Sequence, residues 1–327
     1  MNAHPPVHIV ILNYKGWRDT LECLESVLEL DYPNIQVLVA DNASPDESWA
    51  RLEAWRRDDP SIRRFVVDDA TLAAPAPSGT NFTFLKLAEN RGFTGGNNAA
   101  LRRLLALGAD GYVWLLNNDT VVERSALREL VGVAESTPRV GAVGGTMLDF
   151  RTPDVLQFAA GGEISAWTGM TRNAAPGAPR STTATLNPRL NFICGGCLLI
   201  PMAMLREVGV FDERFFMYAE DADLCRRIAE AGGSLAYSPR AEIRHKGGAT
   251  AIPKSPVSDF HNLRSSLLFV QKHRPLRFPA SLVYSAYRCV LPKIVRRDWH
   301  RLPAVFRAYR DVFATIRRQR ATERSVV

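Results

Sequence analysis

Tyr112-Val113-Trp114-Leu115-Leu116-Asn117-Asn118-Asp119-Thr120 is the stretch on which the reading of this chain turns: an unbroken apolar run stops abruptly in three polar side chains. A short continuous apolar segment bounded by polar residues reads as a strand buried on both faces, as in a parallel sheet. The polar residues behind it then stand at the sheet's rim. Upstream, Val7 to Leu12 ends at Asn13, and Ile35 to Ala40 ends at Asp41 and Asn42. Between these two runs, Leu21, Leu24, Val27 and Leu28 recur at helical spacing, so the opening is a βαβ unit. The alternation continues with a helix near Trp49 to Trp55, a strand near Phe65 to Val67 and a helix from Gly95 to Leu107.

The expected fold class is therefore α/β, with a mostly parallel, Rossmann-like central sheet covered by helices on both faces. Three polar strand ends should gather at one rim, where ligands of such sheets bind. Further along, Leu156 to Ala160, Phe192 to Ile200, a short helix at Met202 to Val208, a helix from Ala222 to Ala231 and strands near Leu235 to Tyr237 and Ile243 predict a mixed second half. Ala70 to Gly79 and Asn173 to Thr185 read as surface loops. From Val257 the pattern is helical. We expect residues 1–120 to form a nucleotide-binding half, 121–256 the other half of the same domain, and 257–327 a basic helical extension.

A chain of 327 residues with 46% hydrophobic and 23% charged content is built to fold, which excludes disorder as the default. The net charge of +7 is unevenly placed: residues 271–327 hold 14 Lys and Arg against 3 Asp and Glu, net +11, leaving −4 for residues 1–270. Cys23, Cys194, Cys197, Cys225 and Cys289 are odd in number and mostly scattered, which suits a reducing compartment rather than a disulfide-bonded secreted domain. Cys194-Gly195-Gly196-Cys197 reads as small residues in a buried strand. No signal peptide or spanning segment is expected, which predicts a cytoplasmic location.

Several motifs carry chemistry. Asp41-Asn42-Ala43-Ser44-Pro45-Asp46 either places a carboxylate against a base or ribose, or forms a turn capped by Asp46. Asn90-Arg91-Gly92-Phe93-Thr94-Gly95-Gly96-Asn97-Asn98 leads into a helix whose first N–H groups would be free to meet a diphosphate; a tight strand-to-helix turn is the plainer alternative. Asp119 suits Mg²⁺ or Mn²⁺ shared with phosphate oxygens, or else caps the following helix. Phe215-Phe216-Met217-Tyr218-Ala219-Glu220-Asp221-Ala222-Asp223 sets three carboxylates at a helix start behind aromatics, suited to proton abstraction, although the helix dipole would weaken a base there. His245 follows the last strand and is either structural or a metal or diphosphate ligand.

Taken in order, these motifs resemble family 2 glycosyltransferases of the GT-A fold, particularly the bacterial rhamnosyltransferase-like branch, over roughly residues 7 to 272. The resemblance implies a metal-dependent, inverting hexosyltransferase of cell-surface polysaccharide biosynthesis. Asn13, Tyr14, Asp41, Asn42, Asn90, Arg91, Gly92, Asn97 and Asn118 then bind the donor, with Asp41 at the base or ribose. Asp119 ligates Mg²⁺ or Mn²⁺ with His245, Asp221 is the general base, and Glu220 is its acceptor-side neighbour. The implied partners are a nucleotide diphosphate sugar, dTDP-rhamnose first and a UDP-sugar second, and a glycan or lipid-linked acceptor. Asn117 stands where a generic member has another Asp, and the Ala70 to Gly79 loop looks like an insertion.

The last helix places Leu302, Val305, Phe306, Tyr309, Phe313 and Ile316 on one side, with Arg307, Arg310, Arg317 and Arg318 among the other positions. That is the pattern of a helix lying on an anionic membrane, here the inner face of the cell membrane, or of one packed on the core. Two other classes fit the bulk numbers: a nucleic-acid-binding protein using the basic end, and an inactive nucleotide-sugar binder. The mildly acidic body weighs against nucleic acid as a partner.

Overall fold

The computed structural model describes residues 4–247 and 255–325. Its first half is the expected alternation. Strands β1 (Val7–Asn13), β2 (Ile35–Asp41), β3 (Arg64–Asp68), β4 (Phe82–Lys86) and β5 (Tyr112–Asn117) enclose helices α1 (Trp17–Leu28), α2 (Ser48–Ala54) and α3 (Gly92–Ala106). Then follow β6 (Thr120–Val122), α4 (Ala126–Ser136), β7 (Val140–Asp149), β8 (Leu156–Ala159), β9 (Gly161–Ile164), β10 (Thr171–Asn173), β11 (Phe192–Ile193), β12 (Cys197–Pro201), α5 (Met202–Val208), α6 (Glu220–Glu230) and β13 (Ser234–His245). The end is helical: α7 (Pro256–His273), α8 (Phe278–Ser285), a π-helical turn Ala286–Val290, α9 (Leu291–Val295) and α10 (Leu302–Ser325).

One sheet runs in the order β3-β4-β2-β1-β5-β12-β7-β13-β6, with β8 paired to β7. Its first five strands are parallel; β12 enters antiparallel between β5 and β7 and makes the sheet mixed. Burial explains the arrangement. Ile9, Val10, Ile11, Val113 and Trp114 have no exposed surface, so both faces of β1 and β5 need covering, and α1 and α3 supply the covers. Each such aliphatic side chain contributes about 1.5–3 kcal/mol when fully buried. The strand order reverses at β1, between β2 on one side and β5 on the other, and the register sets Asn13 beside Asp41 and Leu12 beside Asn117. That reversal opens a crevice at the strands' carboxyl ends.

Four expectations need correction. Leu235 to Tyr237 and Ile243 lie on a single strand, β13, interrupted by a register shift between Ser238 and Glu242. Phe192 to Ile200 is not one strand: Cys194, Gly195 and Gly196 connect β11 to β12, and only Cys197 lies within a strand. The ten-residue strand β7, at the middle of the second half, was not anticipated. Its Gly141 and Gly145 weaken the strand signal, but a Cβ at those positions would meet Ile228 at 2.1 Å and Ala241 O at 2.5 Å. The Asn173 to Thr185 segment, expected as loop, ends in a 3₁₀ turn, Arg180–Thr185.

The apolar stripe of α10 is divided between core and surface, with Phe306 and Phe313 57% and 41% exposed. Val305, Ala308, Val312 and Ile316 are buried in the cluster that also holds Leu263 and Leu267 of α7. Among the described residues no helix is long and apolar enough to cross a membrane.

Candidate active site

At the parallel rim the polar strand ends bond to one another. Asn13 Nδ2 donates to Asp41 Oδ1 at 2.6 Å, and Thr20 Oγ1 donates to Asn13 Oδ1 at 2.8 Å. Asp41 also accepts from the Ser44 hydroxyl and N–H, so its buried carboxylate closes the Asp41–Ser44 turn. Asn42 accepts from Arg91 N–H and donates to Asn90 Oδ1 and Gly92 O, tying the glycine-rich segment to β2. Asn118 donates to Thr20 Oγ1 at 2.9 Å.

Two of the N–H groups expected to be free for a diphosphate at the start of α3 are occupied. Gly92 N–H donates to Asn90 Oδ1, and Thr94 N–H donates to Phe216 O. Gly92, at φ +69°, is required there because a Cβ would lie 2.4 Å from Phe216 O. The segment thus docks one half of the chain on the other. Asn97 is buried and donates to Phe93 O, while Arg91 turns out to Asp69 at 3.1 Å.

Asp119 and His245 converge from β5's end and from β13. His245 Nε2 lies 3.3 Å from Asp119 Oδ1. The Gln157 amide donates from Nε2 to His245 O, so its Oε1 accepts from His245 Nδ1 at 2.7 Å. That bond orients the imidazole, whose Nε2 faces the Asp119 carboxylate and, at 3.4 Å, the Asn117 amide Nδ2. A carboxylate and an imidazole nitrogen side by side, with an amide orienting the ring, are side-chain types that fit a divalent cation. Among the described residues no group of three or more His, Cys, Asp or Glu side chains could hold one, so the pair would supply only part of a coordination shell.

The acid turn is built differently. Tyr218 and Ala219 both have left-handed backbone, φ +66° and +62°, immediately before α6, a strain of about 1–3 kcal/mol at each. The turn is pinned by α7, whose Ser265 hydroxyl donates to Met217 O at 2.8 Å. Asp221 accepts from Gly195 N–H at 3.0 Å and from Ala222 N–H at 2.7 Å. Burial pushes the Asp221 carboxyl up in pKa despite these bonds. Glu220 is pushed well above the ordinary carboxylate range, first by burial and then by the Asp221 charge, and its Oε2 is buried without a partner. The dipole weakening expected of a helix start is thus outweighed. Asp223 has an opposite environment: burial pushes it up, but His273, Lys272 and Arg227 more than reverse this and hold it below the usual range.

Tyr14, Asn42, Asn90, Gly92, Asn118, Asp119, Glu220 and Asp221 line one cavity of 850 Å³, within the size range of small-molecule sites. Asn13, Asp41, Arg91, Asn97 and His245 stand outside its lining. Sequence reasoning missed the wall contributed by the β9–β10 hairpin and the last helices, including Met170, His261, Asn262, Tyr284 and Arg288. His261 stacks on Phe216 at 5.0 Å and is kept neutral down to about 4, by burial first and then by Arg264 and Arg307. No motif marks these positions; a basic, aromatic-bearing extension was the only signal.

A sequence model described as "Glycosyltransferase like family 2" matches residues 4–264. The chain is 28% identical over 224 residues to an N-acetylglucosaminyl-diphospho-decaprenol L-rhamnosyltransferase of Mycobacterium tuberculosis, covering 63% of this chain and 72% of that one. It is 24% identical over 318 residues to the low-salt glycan biosynthesis hexosyltransferase Agl10 of Haloferax volcanii, covering 93% and 90%. Among solved structures, mannosyltransferase PcManGT from Pyrobaculum calidifontis, in complex with GDP-Man and Mn²⁺, superposes with a TM-score of 0.54 at 18% identity over 95% of this chain and 83% of that one. Staphylococcus aureus TarS 1–349 with UDP-GlcNAc gives 0.55 at 16% identity over 94% and 80%. These likenesses bear out the GT-A fold, and the chain belongs to glycosyltransferase family 2 and is a glycosyltransferase.

Proposed function

We propose that this chain is an inverting, metal-dependent hexosyltransferase that moves a sugar from a nucleotide diphosphate donor to a hydroxyl of a glycan or lipid-linked acceptor. The observation that carries the reading is that Asp119 of the parallel rim and Asp221 of the acid turn reach one cavity from different elements. The M. tuberculosis relative's printed activity favours L-rhamnose on dTDP as donor, with UDP-sugars second, and a lipid-linked acceptor. Such an acceptor places the enzyme peripherally on the cytoplasmic face of a membrane, in cell-surface polysaccharide biosynthesis.

In this mechanism Asp221 takes the proton of the acceptor hydroxyl as its oxygen bonds to the anomeric carbon. The bond from that carbon to the donor's diphosphate breaks, its electron pair leaves with the phosphate oxygen, and the configuration inverts. Burial of Asp221 makes it a better base than a solvated aspartate, while Gly195 N–H keeps it oriented. Glu220, which holds its proton to higher pH, sits beside the acceptor as a neutral hydrogen-bond donor. Asp119 and His245 would hold Mg²⁺ or Mn²⁺, the imidazole favouring Mn²⁺. A cation held by these two side chains would supply positive charge to the departing diphosphate. Asp41, Asn13 and Asn42 keep the rim in shape for the base and ribose, and Tyr14, Asn90, Gly92 and Asn118 line the donor's path. Residues 1–120 then act as the donor half, 121–256 as the acceptor half, and 257–327 as an extension that completes the cavity.

Thermal unfolding with a panel of nucleotide sugars, each with Mg²⁺, Mn²⁺ or EDTA, tests this. A donor at 100 times its Kd adds about 2.7 kcal/mol, several degrees in a chain of this size. Stabilisation by one sugar nucleotide only with metal supports the reading and names the donor; stabilisation by none overturns the donor site. Inversion is read from the anomeric coupling in the NMR spectrum of the product.

A further inference from the structure

The main cavity does not end at the acid turn. Met170, Asn262, Leu263, Arg288 and Cys289 also line a second cavity of 410 Å³, an annex walled by α7, α9 and the start of α10. Its charged lining is Arg288, Lys293, Arg296 and Arg301 against Asp259 and Asp298. Both acids are already matched: Asp259 accepts a bidentate pair from Arg301 at 2.7 and 2.8 Å and lies 3.2 Å from Lys293, while Asp298 lies 3.6 Å from Arg301. Among the described residues neither Arg288 nor Arg296 has a carboxylate partner, so the annex carries uncompensated positive charge at the far end of the catalytic cavity.

The segment that supplies Arg288, Lys293 and Arg296 to the annex also carries an exposed apolar stripe, longer than the Phe306 and Phe313 pair exposed on α10. Val283, Tyr287, Leu291 and Val295 recur every four residues along α8, the π-helical turn and α9, and are 74%, 66%, 46% and 73% exposed. Tyr284, Ile294 and Trp299 widen it, and Arg288 and Arg296 lie within its length. An exposed apolar face this long is unusual in a soluble protein unless something covers it. Its occupant must be apolar along its length and anionic at the end that enters the annex.

Resting on the transferase reading above, we propose that the annex binds the diphosphate of a lipid-linked acceptor. Arg288 and Arg296 hold the phosphate oxygens, and the hydrocarbon lies along Val283, Tyr287, Leu291 and Val295. A guanidinium suits this task because its planar N–H groups pair with phosphate oxygens two at a time. The acceptor sugar, joined to that diphosphate, then projects through the shared wall at Asn262 and Arg288 toward Asp221. Membrane contact then rests mainly on the α8–α9 segment, beside which α10 exposes Phe306 and Phe313.

Titration of the full chain with farnesyl diphosphate, farnesol and inorganic pyrophosphate, followed by calorimetry in the presence of saturating dTDP and Mn²⁺, tests the assignment. Farnesyl diphosphate should bind at least about tenfold more tightly than either fragment and should not be displaced by the nucleotide. Arg288→Gln and Arg296→Gln should each weaken it about tenfold, Arg288→Lys less, and Val283→Ser with Leu291→Ser should remove its advantage over pyrophosphate. Unfolding midpoints identify any variant that fails to fold, and the lysine variant then carries the comparison. Equal binding of farnesyl diphosphate and pyrophosphate, or displacement by dTDP, overturns the proposal. So does an equal loss of sedimentation with phosphatidylglycerol vesicles in the two glutamine variants, which would make the surface a general anionic one. Donor-dependent stabilisation of the unaltered chain is read separately: if it is present while farnesyl diphosphate fails to bind, the annex assignment falls and the transferase reading stands.

Discussion

The parallel rim and the acid turn use similar residues to opposite ends. At the rim, Asn13, Asp41, Asn42 and Asn90 bond to one another, and the carboxylate of Asp41 accepts from three donors. At the turn, two consecutive left-handed residues present Glu220 and Asp221 with fewer partners than a carboxylate can accept, and burial raises both. Polar groups that complete their bonds hold a shape; polar groups denied them keep the capacity to exchange a proton. The same division separates Asp221 from Asp223 two residues on, since Asp223 is fully buried among His273, Lys272 and Arg227.

The largest effect tests the turn. Asp221→Asn should lower kcat about 10²–10⁴-fold while leaving the unfolding midpoint within a few degrees, because the amide oxygen still accepts from Gly195 N–H and the bond from Ala222 N–H is the one lost. Turnover near that of the unaltered protein would remove Asp221 as the base. Asp223→Asn should do the reverse. Stripping the charge leaves Arg227 and Lys272 facing a neutral amide, and the loss of a partner in a buried network costs about 3–5 kcal/mol, roughly 10 °C here. A midpoint shift under 2 °C, with activity lost, would move Asp223 from scaffold to chemistry.

Asp41→Asn sharpens the contrast at the rim. If Asp41 closes the turn, its amide variant meets the Asn13 and Ser44 donors with one acceptor too few, and stability should fall by about 1–3 kcal/mol. Calorimetry of donor binding decides the matter: an unchanged midpoint with a donor Kd raised tenfold would mean that Asp41 contacts the nucleotide directly.

How much of this was legible follows the same physics. β1, β2 and β5 announce themselves because burial on both faces demands unbroken apolar runs, and their polar ends were placed at the rim for that reason. β7 hid because three of its ten residues are glycines chosen for close approach to Ile228, Ile193 and Ala241, which removes the β-branched signal. The acid turn was visible as composition, but its strain and the Gly195 contact depend on residues about 25 positions apart. The annex was out of reach: Arg288 and Arg296 look like any basic tail until α7 and α10 fold around them.

The smallest effect concerns Glu220, and its sign follows from linkage. A carboxyl raised in the folded state binds its proton more tightly there than in the unfolded chain. Stability is therefore complete below the ordinary glutamate range and falls as pH rises between the unfolded and folded values. Asp223, held low, behaves oppositely and loses its contribution as pH falls through the acid range. Glu220→Gln reproduces the protonated form, so its midpoint should match the unaltered protein near pH 4 and exceed it by roughly 1–3 °C near pH 8. Because the amide keeps a hydrogen-bond donor beside the acceptor, transfer should persist within about tenfold. A midpoint that drops equally at both pH values would show Glu220 ionised in the folded chain, and would erase the distinction between a proton-holding turn and a charge-bearing one.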